Sequence, residues 1–427
     1  RPPPRLTAGM KRNLTSPRSA AAVAVERICC GGAYSNLVLA GAGLAPADRP
    51  FFTALVRGTV ERLRTLRYVA GLYVKRPPDR MTEAVLCTGI YQILYMDRIP
   101  DSAACNESVR AARELVSARE AGFVNAVLRS VCRDRASLPG QIAAQPDGVR
   151  YSLSDSLCER IREQYPDRCA DIFASFFEPD GLPLCVNTRR IAPDALVERL
   201  AAEGVSCVFA DDGIPVVVSG ADKALRLLDE GLFFVQGVAS RRAVRMLDAE
   251  RGMTVLDVCA CPGGKSLAAA VDMDDCGAVH AFDLHANKLG LIEKSAAALG
   301  LTCIRTGCRD ARTPAPEWVG KADRVICDVP CTSVGVLASK PEIRYKDVTD
   351  IFALTAAQAA ILSASARCLR PGGILVYSTC SLDGRENGDI VRAFLAQTSG
   401  FTLADERQTL PCEPHCDGFY AAKLIKT

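Results

Sequence analysis

The stretch Val255-Leu256-Asp257-Val258-Cys259-Ala260-Cys261-Pro262-Gly263-Gly264-Lys265 limits what this chain can become more than any other. An apolar run of strand type ends in a turn of small residues with two glycines, and a helical pattern follows from about Ser266. A strand feeding a glycine turn and then a helix is the first half of a βαβ unit, and such units build parallel sheets. The C-terminal half repeats the alternation, with strand patterns at 254–258, 278–283, 302–305, 324–328 and 374–378. Helical patterns fall between them near 265–271, 284–299 and 349–369. From Gly231 to Thr427 the sequence therefore predicts an α/β domain built on a doubly wound, parallel, Rossmann-like sheet.

A chain of 427 residues is too long for one ordinary core. Residues 19–135 carry apolar positions at spacings of three and four, as in Phe51, Leu55, Val56, Val60 and Leu63, and predict an all-helical domain. Residues 136–165 change composition and read as a linker with a short helix. The order strand, helix, strand, strand over Pro183–Val218 predicts a small α+β subdomain at 166–230. Residues 1–18 hold Arg1, Arg5, Lys11, Arg12 and Arg18 with no acid, which suits a flexible basic arm able to meet phosphates. The net charge of +3 proves no nucleic-acid partner. Twenty cysteines in a long chain without a signal peptide read as reduced, cytosolic thiols. The uncharged stretch Ile28–Ala47 holds four glycines and a proline, so no membrane span is expected.

The glycine turn reads as a cofactor site. Gly263 and Gly264 let the backbone approach a ligand closely. Asp283 ends the second strand, 20 residues after Gly263, where an acid can accept hydrogen bonds from ribose hydroxyls. Asp310 lies beyond the third strand, in reach of an adenine edge, and Asp328 ends the fourth. Neither the phosphate-binding Gly-x-x-x-x-Gly-Lys-Ser/Thr nor Gly-x-Gly-x-x-Gly is present. S-adenosylmethionine has no pyrophosphate to cradle, and a short turn suits it.

Two cysteines stand at strand ends, Cys331 in Asp328-Val329-Pro330-Cys331 and Cys380 in Ser378-Thr379-Cys380-Ser381. A thiol there can act as a nucleophile, and two suggest a covalent reaction that needs a second thiol. Methylation at C5 of cytosine has that demand: a thiolate added at C6 makes C5 nucleophilic, an acid such as Asp328 near N3 stabilises the developing charge, and the thiol then leaves. Zinc at Cys259/Cys261 or at Cys412/His415/Cys416 is set aside, because neither group supplies four ligands at familiar spacing, and no metal is expected.

On these residues the chain resembles the RNA (cytosine-C5) methyltransferases of the bacterial RsmB/Sun type. The motifs are Cys259-Ala260-Cys261-Pro262-Gly263-Gly264-Lys265, Asp328–Cys331, Thr379-Cys380 and the last strand pattern at Asp417–Lys426. Gly32-Ala33-Tyr34-Ser35-Asn36, Tyr91–Met96 and Phe123–Arg129 resemble a NusB-like RNA-binding domain. The resemblance implies that Cys380 attacks C6 and that Cys331 assists release. It implies that Cys259, Ala260, Cys261, Pro262, Gly263, Gly264, Lys265, Asp283, Asp310 and Asp328 hold S-adenosylmethionine. It also implies 16S ribosomal RNA or a small-subunit precursor as partner, for a cytoplasmic protein expected to be a monomer. Transfer RNA as substrate, or a non-enzymatic RNA-binding factor, are the rival readings. Three positions depart from the family pattern: Cys261 replaces an alanine, Gly237 an acid, and Cys185 an arginine that would contact RNA.

Overall fold

The computed structural model describes residues 16–178, 181–313 and 316–427. Most of the expected basic arm, residues 1–15, lies outside the described residues. Arg18 does not. Ser16 caps helix α1 (Pro17–Cys29) by accepting the Arg18 amide, and the Arg18 guanidinium lies 4.7 Å from the Phe51 ring and donates to Gln92 Oε1 at 2.6 Å.

The chain divides into two compact units. One comprises the residues up to Arg162 together with Leu337–Asp347; the other comprises Glu163–Val336 and Val348–Thr427.

The first unit is helical. After α1 come α2 (Ser35–Ala40), α3 (Arg49–Glu61), α4 (Leu63–Gly71), α5 (Arg80–Tyr95), α6 (Asp101–Leu115) and α7 (Ala118–Asp134). Most present one apolar face, but α5 buries Ala84, Val85, Leu86, Cys87, Ile90 and Ile93 and packs against α1, α3, α4, α6 and α7. The expected linker carries helices α8 (Leu138–Ala143), α9 (Asp147–Arg150) and α10 (Asp155–Gln164). Its prolines stand where a helix begins, Pro139 in the first turn of α8 and Pro146 at the cap of α9, where the missing N–H costs nothing.

Leu337–Asp347 follows Cys331 closely in sequence yet belongs to the helical unit. Tyr345 donates its hydroxyl to Val60 O at 2.5 Å and accepts the Leu63 amide at 3.0 Å. The Glu342 carboxylate accepts from Ser35 Oγ at 2.8 Å, and Arg57 donates to Ala338 O at 2.8 Å.

In the second unit, α11 (Cys169–Ser175) precedes a four-stranded antiparallel sheet in the order β2-β3-β1-β4, formed by β1 (Leu182–Val186), β2 (Ser206–Phe209), β3 (Pro215–Ser219) and β4 (Phe233–Val235). Helices α12 (Pro193–Ala202) and α13 (Ala221–Arg226) accompany it. Its fourth strand lies past the expected boundary at 230, paired through Cys185↔Phe234.

A seven-stranded sheet follows. Its strands are β5 (Thr254–Asp257), β6 (Ala278–Asp283), β7 (Ile304–Cys308), β8 (Ala322–Asp328), β9 (Leu369–Thr379), β10 (Phe401–Thr409) and β11 (Phe419–Lys426), in the order β10-β11-β9-β8-β5-β6-β7. Helices α14 (Val238–Arg245), α15 (Gly264–Asp272), α16 (Ala286–Leu299), α17 (Phe352–Ala366) and α18 (Gly388–Gln397) complete the unit. Alternate strand residues serve two cores: Val255, Ile326, Ile374 and Val376 face one, Leu256, Val325, Leu375 and Tyr377 the other. Helices on both faces give the expected doubly wound Rossmann-like fold.

Two details differ from expectation. The third strand starts at Ile304 instead of 302, because the Asp275 carboxylate takes the amides of Thr302 and Cys303 out of the ladder. The sheet is also mixed, since β9 pairs antiparallel with β11 and β11 with β10. No helix links β10 to β11, so the chain returns as a hairpin.

Candidate active site

The strand order reverses between β5 and β8, and in open α/β sheets the crevice at the carboxyl ends of such strands takes the ligand. Both strands bring a motif there. At the end of β5, the Ala260 amide bonds Phe282 O at 2.7 Å and the Cys261 amide bonds Asp283 Oδ2 at 3.2 Å, which pins the turn to β6. The Cys261–Pro262 peptide is cis. Gly263 has φ +112°, and a Cβ there would lie 3.0 Å from the Ile292 side chain. The positive φ favours glycine, and any side chain there would crowd Ile292.

The turn, with Asp257 and Asp328, lines a cavity of about 200 Å³ that Gln236, Gly237 and Ser240 close from the start of α14. Lys265 Nζ bonds Asp328 Oδ2 at 2.7 Å and lies 5.1 Å from the Phe419 ring. Ser378 Oγ donates to the other Asp328 oxygen at 2.7 Å. Asp257 is fully buried; Ser266 donates to its Oδ2 at 2.6 Å, and burial pushes its carboxyl up to about 7. Asp257 Oδ1 and both amide atoms of Gln236 are buried without a protein partner. Buried polar atoms left unpaired are costly, so a wall that holds three of them is suited to a polar ligand. The donor set therefore fits the amino-acid end of S-adenosylmethionine, and the glycine turn its close approach.

Asp283 and Asp310 do not line this cavity. Asp283 caps the turn and accepts the His285 amide at 2.9 Å. Asp310 lies beyond β7, where hydrogen bonds from the Arg312 guanidinium, at 2.6 Å from Nη2, and from the Arg312 amide hold its carboxyl down at about 2. The Cys261 thiol, beside Asp283, is pushed up to about 12 by burial and by that carboxylate.

Neighbouring strands β8 and β9 run parallel with Asp328 opposite Ser378. The loops that follow therefore leave the sheet side by side. Cys331 Sγ and Cys380 Sγ stand 3.3 Å apart, and the Gly335 amide bonds Cys380 O at 3.0 Å. Its hydrogen bond with Cys380, then burial, push the Cys331 thiol well above the ordinary range. All twenty cysteines carry free thiols, and among the described residues no cluster is fit to hold a metal ion.

Sequence reasoning passed over Gln236, Asp257 and Ser378. Gln236 had one signal, a polar side chain between an apolar strand and an apolar helix start. Two departures from the family pattern take on meaning. A Cβ at Gly237 would lie 3.1 Å from Asp417 Oδ2, so an acid from the loop before β11 fills the space beside it. Cys185 is 3% exposed and packs within the core beside Phe234 and Ala243, so its thiol faces the protein interior.

Residues 244–425 match the model of the family 16S rRNA methyltransferase RsmB/F, and residues 15–133 that of the NusB family. The chain is 33% identical over 437 residues to ribosomal RNA small subunit methyltransferase B of Pseudomonas syringae pv. tomato, covering 96% of this chain and 97% of the relative. It is 32% identical over 403 residues to the probable ribosomal RNA small subunit methyltransferase B of Bacillus subtilis, covering 91% and 90%. The crystal structure of PH0851 has the same fold, with TM-score 0.79 at 22% identity over 96% of this chain and 99% of that one. The chain belongs to the RsmB/F family of 16S rRNA methyltransferases, and its cofactor is S-adenosylmethionine.

Proposed function

We propose that the protein methylates C5 of a cytosine in 16S ribosomal RNA through a covalent adduct of Cys380 with C6. The observation that carries this reading is the pair of thiols 3.3 Å apart at the ends of adjacent parallel strands, next to the cofactor cavity. The names of the relatives support small-subunit ribosomal RNA as the substrate.

When bound, S-adenosylmethionine supplies a methyl carbon on a sulfonium. The turn Cys259–Lys265, Gln236, Asp257 and Asp328 hold it, with Asp283 fixing the turn and Asp310 meeting the adenine side. Cys380 adds to C6 as the thiolate, and the C5–C6 double-bond pair becomes available at C5. Asp328, held by Lys265 and Ser378, shares a proton with ring N3 as charge develops there. In the release step the C5 proton passes to water and its bonding pair re-forms the C5–C6 double bond. The C6–S pair returns to the Cys380 sulfur, which accepts a hydrogen bond from the Cys331 thiol. The helical residues 19–135 serve as the RNA-binding domain, and 231–427 as the methyltransferase domain, in a protein working in the cytoplasm. Among the described residues no helix is long and apolar enough to cross a membrane.

The test is methyl transfer from labelled S-adenosylmethionine to unmodified 16S ribosomal RNA and, separately, to transfer RNA, with bisulfite mapping. One modified cytosine in the ribosomal RNA is the expected result. Label in transfer RNA alone discards the substrate and keeps the chemistry, and label in neither discards the activity on naked RNA.

A further inference from the structure

Glu386 ends a short 3₁₀ turn after β9 and is fully buried. Its carboxylate accepts the Thr332 amide at 2.8 Å, Thr332 Oγ1 at 2.5 Å, Gln358 Nε2 at 2.9 Å, and the Ser381 hydroxyl. Gln358 Nε2, from α17, also donates to Pro330 O at 2.9 Å. The carboxylate thus grips the residue after Cys331 and the residue after Cys380 at once. The next residue, Asn387, holds the second loop again through Thr379 Oγ1 at 2.5 Å and Ser381 O at 3.0 Å.

All four bonded donors are neutral. Taking a carboxylate out of water is costly, and even buried ion pairs are often replaced by well-packed apolar residues of similar volume without loss. A purely structural link between two loops would not need an ionised side chain here. The place of this charge singles it out: it lies beside Cys331, and its field is one of the causes that push that thiol up, after the bond to Cys380 and burial.

We propose that Glu386 is a positioning residue that sets the separation of the Cys331 and Cys380 sulfurs and, through it, the release of methylated RNA from Cys380. The inference rests on the two-thiol reading above. With the loops clamped, the Cys331 S–H is aimed at the Cys380 sulfur when the C6–S bond breaks. Glu386→Gln keeps the volume but replaces a carboxylate oxygen with an NH₂ that only donates, so the Thr332 and Ser381 hydroxyls must turn from donors to acceptors and the clamp on the two loops weakens.

The experiment compares wild type, Cys331→Ala, Cys380→Ala and Glu386→Gln on unmodified 16S ribosomal RNA. Product turnover, the RNA–protein adduct on denaturing gels, and affinity for S-adenosylhomocysteine are read in parallel. Glu386→Gln is expected to lose turnover by roughly 100-fold, the scale of a misplacement of about 1 Å, while it accumulates adduct as Cys331→Ala does and binds S-adenosylhomocysteine within about twofold of wild type. Loss of adduct together with turnover, or turnover close to wild type, overturns the inference. If Cys331→Ala itself accumulates no adduct, the two-thiol reading fails instead. If Glu386→Gln does not fold, Ser381→Ala removes one clip and leaves the charge. It then carries the test: adduct accumulation supports the clamp, and wild-type release kinetics overturn it.

Discussion

Cys331 Sγ and Cys380 Sγ lie 3.3 Å apart, although 49 residues separate them in the chain. The parallel pairing of β8 with β9 produces this closeness, and the roles proposed for the two thiols give them different outcomes on removal. Cys380→Ala is expected to abolish methyl transfer and leave no adduct, with affinity for S-adenosylhomocysteine nearly unchanged. Cys331→Ala is expected to retain adduct formation and stall release, seen as a covalent RNA–protein band that survives denaturation. Residual turnover in Cys380→Ala would remove that residue from the nucleophile's role.

Gln236 lines the cavity, and its side-chain donor and acceptor are buried without protein partners. An amino-acid zwitterion offers the matching acceptor and donor. Gln236→Leu should weaken S-adenosylhomocysteine by roughly tenfold, the value of one or two hydrogen bonds, and leave 5′-methylthioadenosine, which lacks the amino-acid tail, unchanged. Calorimetric titration decides it; equal loss for both ligands would place the amide on the nucleoside instead.

Asp257 connects pH to both stability and cofactor binding. Its carboxyl, raised to about 7 by burial, holds a proton that an unfolded aspartate gives up near 4. Between about pH 4 and pH 7 the unfolded chain therefore binds fewer protons, and the stability linked to this group falls as pH rises through that window. Asp257→Asn should flatten that part of the stability curve in denaturant titrations. A cofactor ammonium near the carboxylate favours its ionised form, so binding below about pH 7 should release a proton, and binding well above it none. Calorimetry in buffers of different ionisation enthalpy reads the difference.

Tyr345 is tied into the helical unit by Val60 O, the Leu63 amide and Ser152 Oγ. Tyr345→Phe leaves those buried partners short of a bond and should cost about 1–3 kcal/mol. Thermal unfolding monitored by helical circular dichroism should show a midpoint lowered by a few degrees. An unchanged midpoint would mean that water replaces the hydroxyl.

Much of this architecture is legible in the sequence because its signals are local. The run Val255–Lys265 announces strand, turn and helix through neighbouring residues alone, and Asp328-Val329-Pro330-Cys331 and Thr379-Cys380 mark strand ends in the same way. What stayed hidden depends on pairing. That Asp328 lies opposite Ser378, and hence that the two thiols meet, follows from strand order, which no periodicity encodes. Strand β10 was missed because it is an edge strand rich in exposed polar residues such as Asp405, Glu406 and Arg407, which erase the apolar alternation. Glu386 and Gln236 are single polar residues whose meaning lies in what surrounds them in space.

The stretch Leu337–Asp347 has a temporal consequence. The helical unit needs these residues, yet the ribosome makes them roughly 170 residues after Arg162. At ~5–20 residues per second this is a wait on the order of 10 to 35 s. During that interval the groups that Tyr345 and Glu342 will engage, Val60 O and Ser35 Oγ among them, lack those partners. A nascent chain arrested before residue 337 should therefore be cleaved by protease within its helical portion more readily than one arrested after 347 has cleared the exit tunnel.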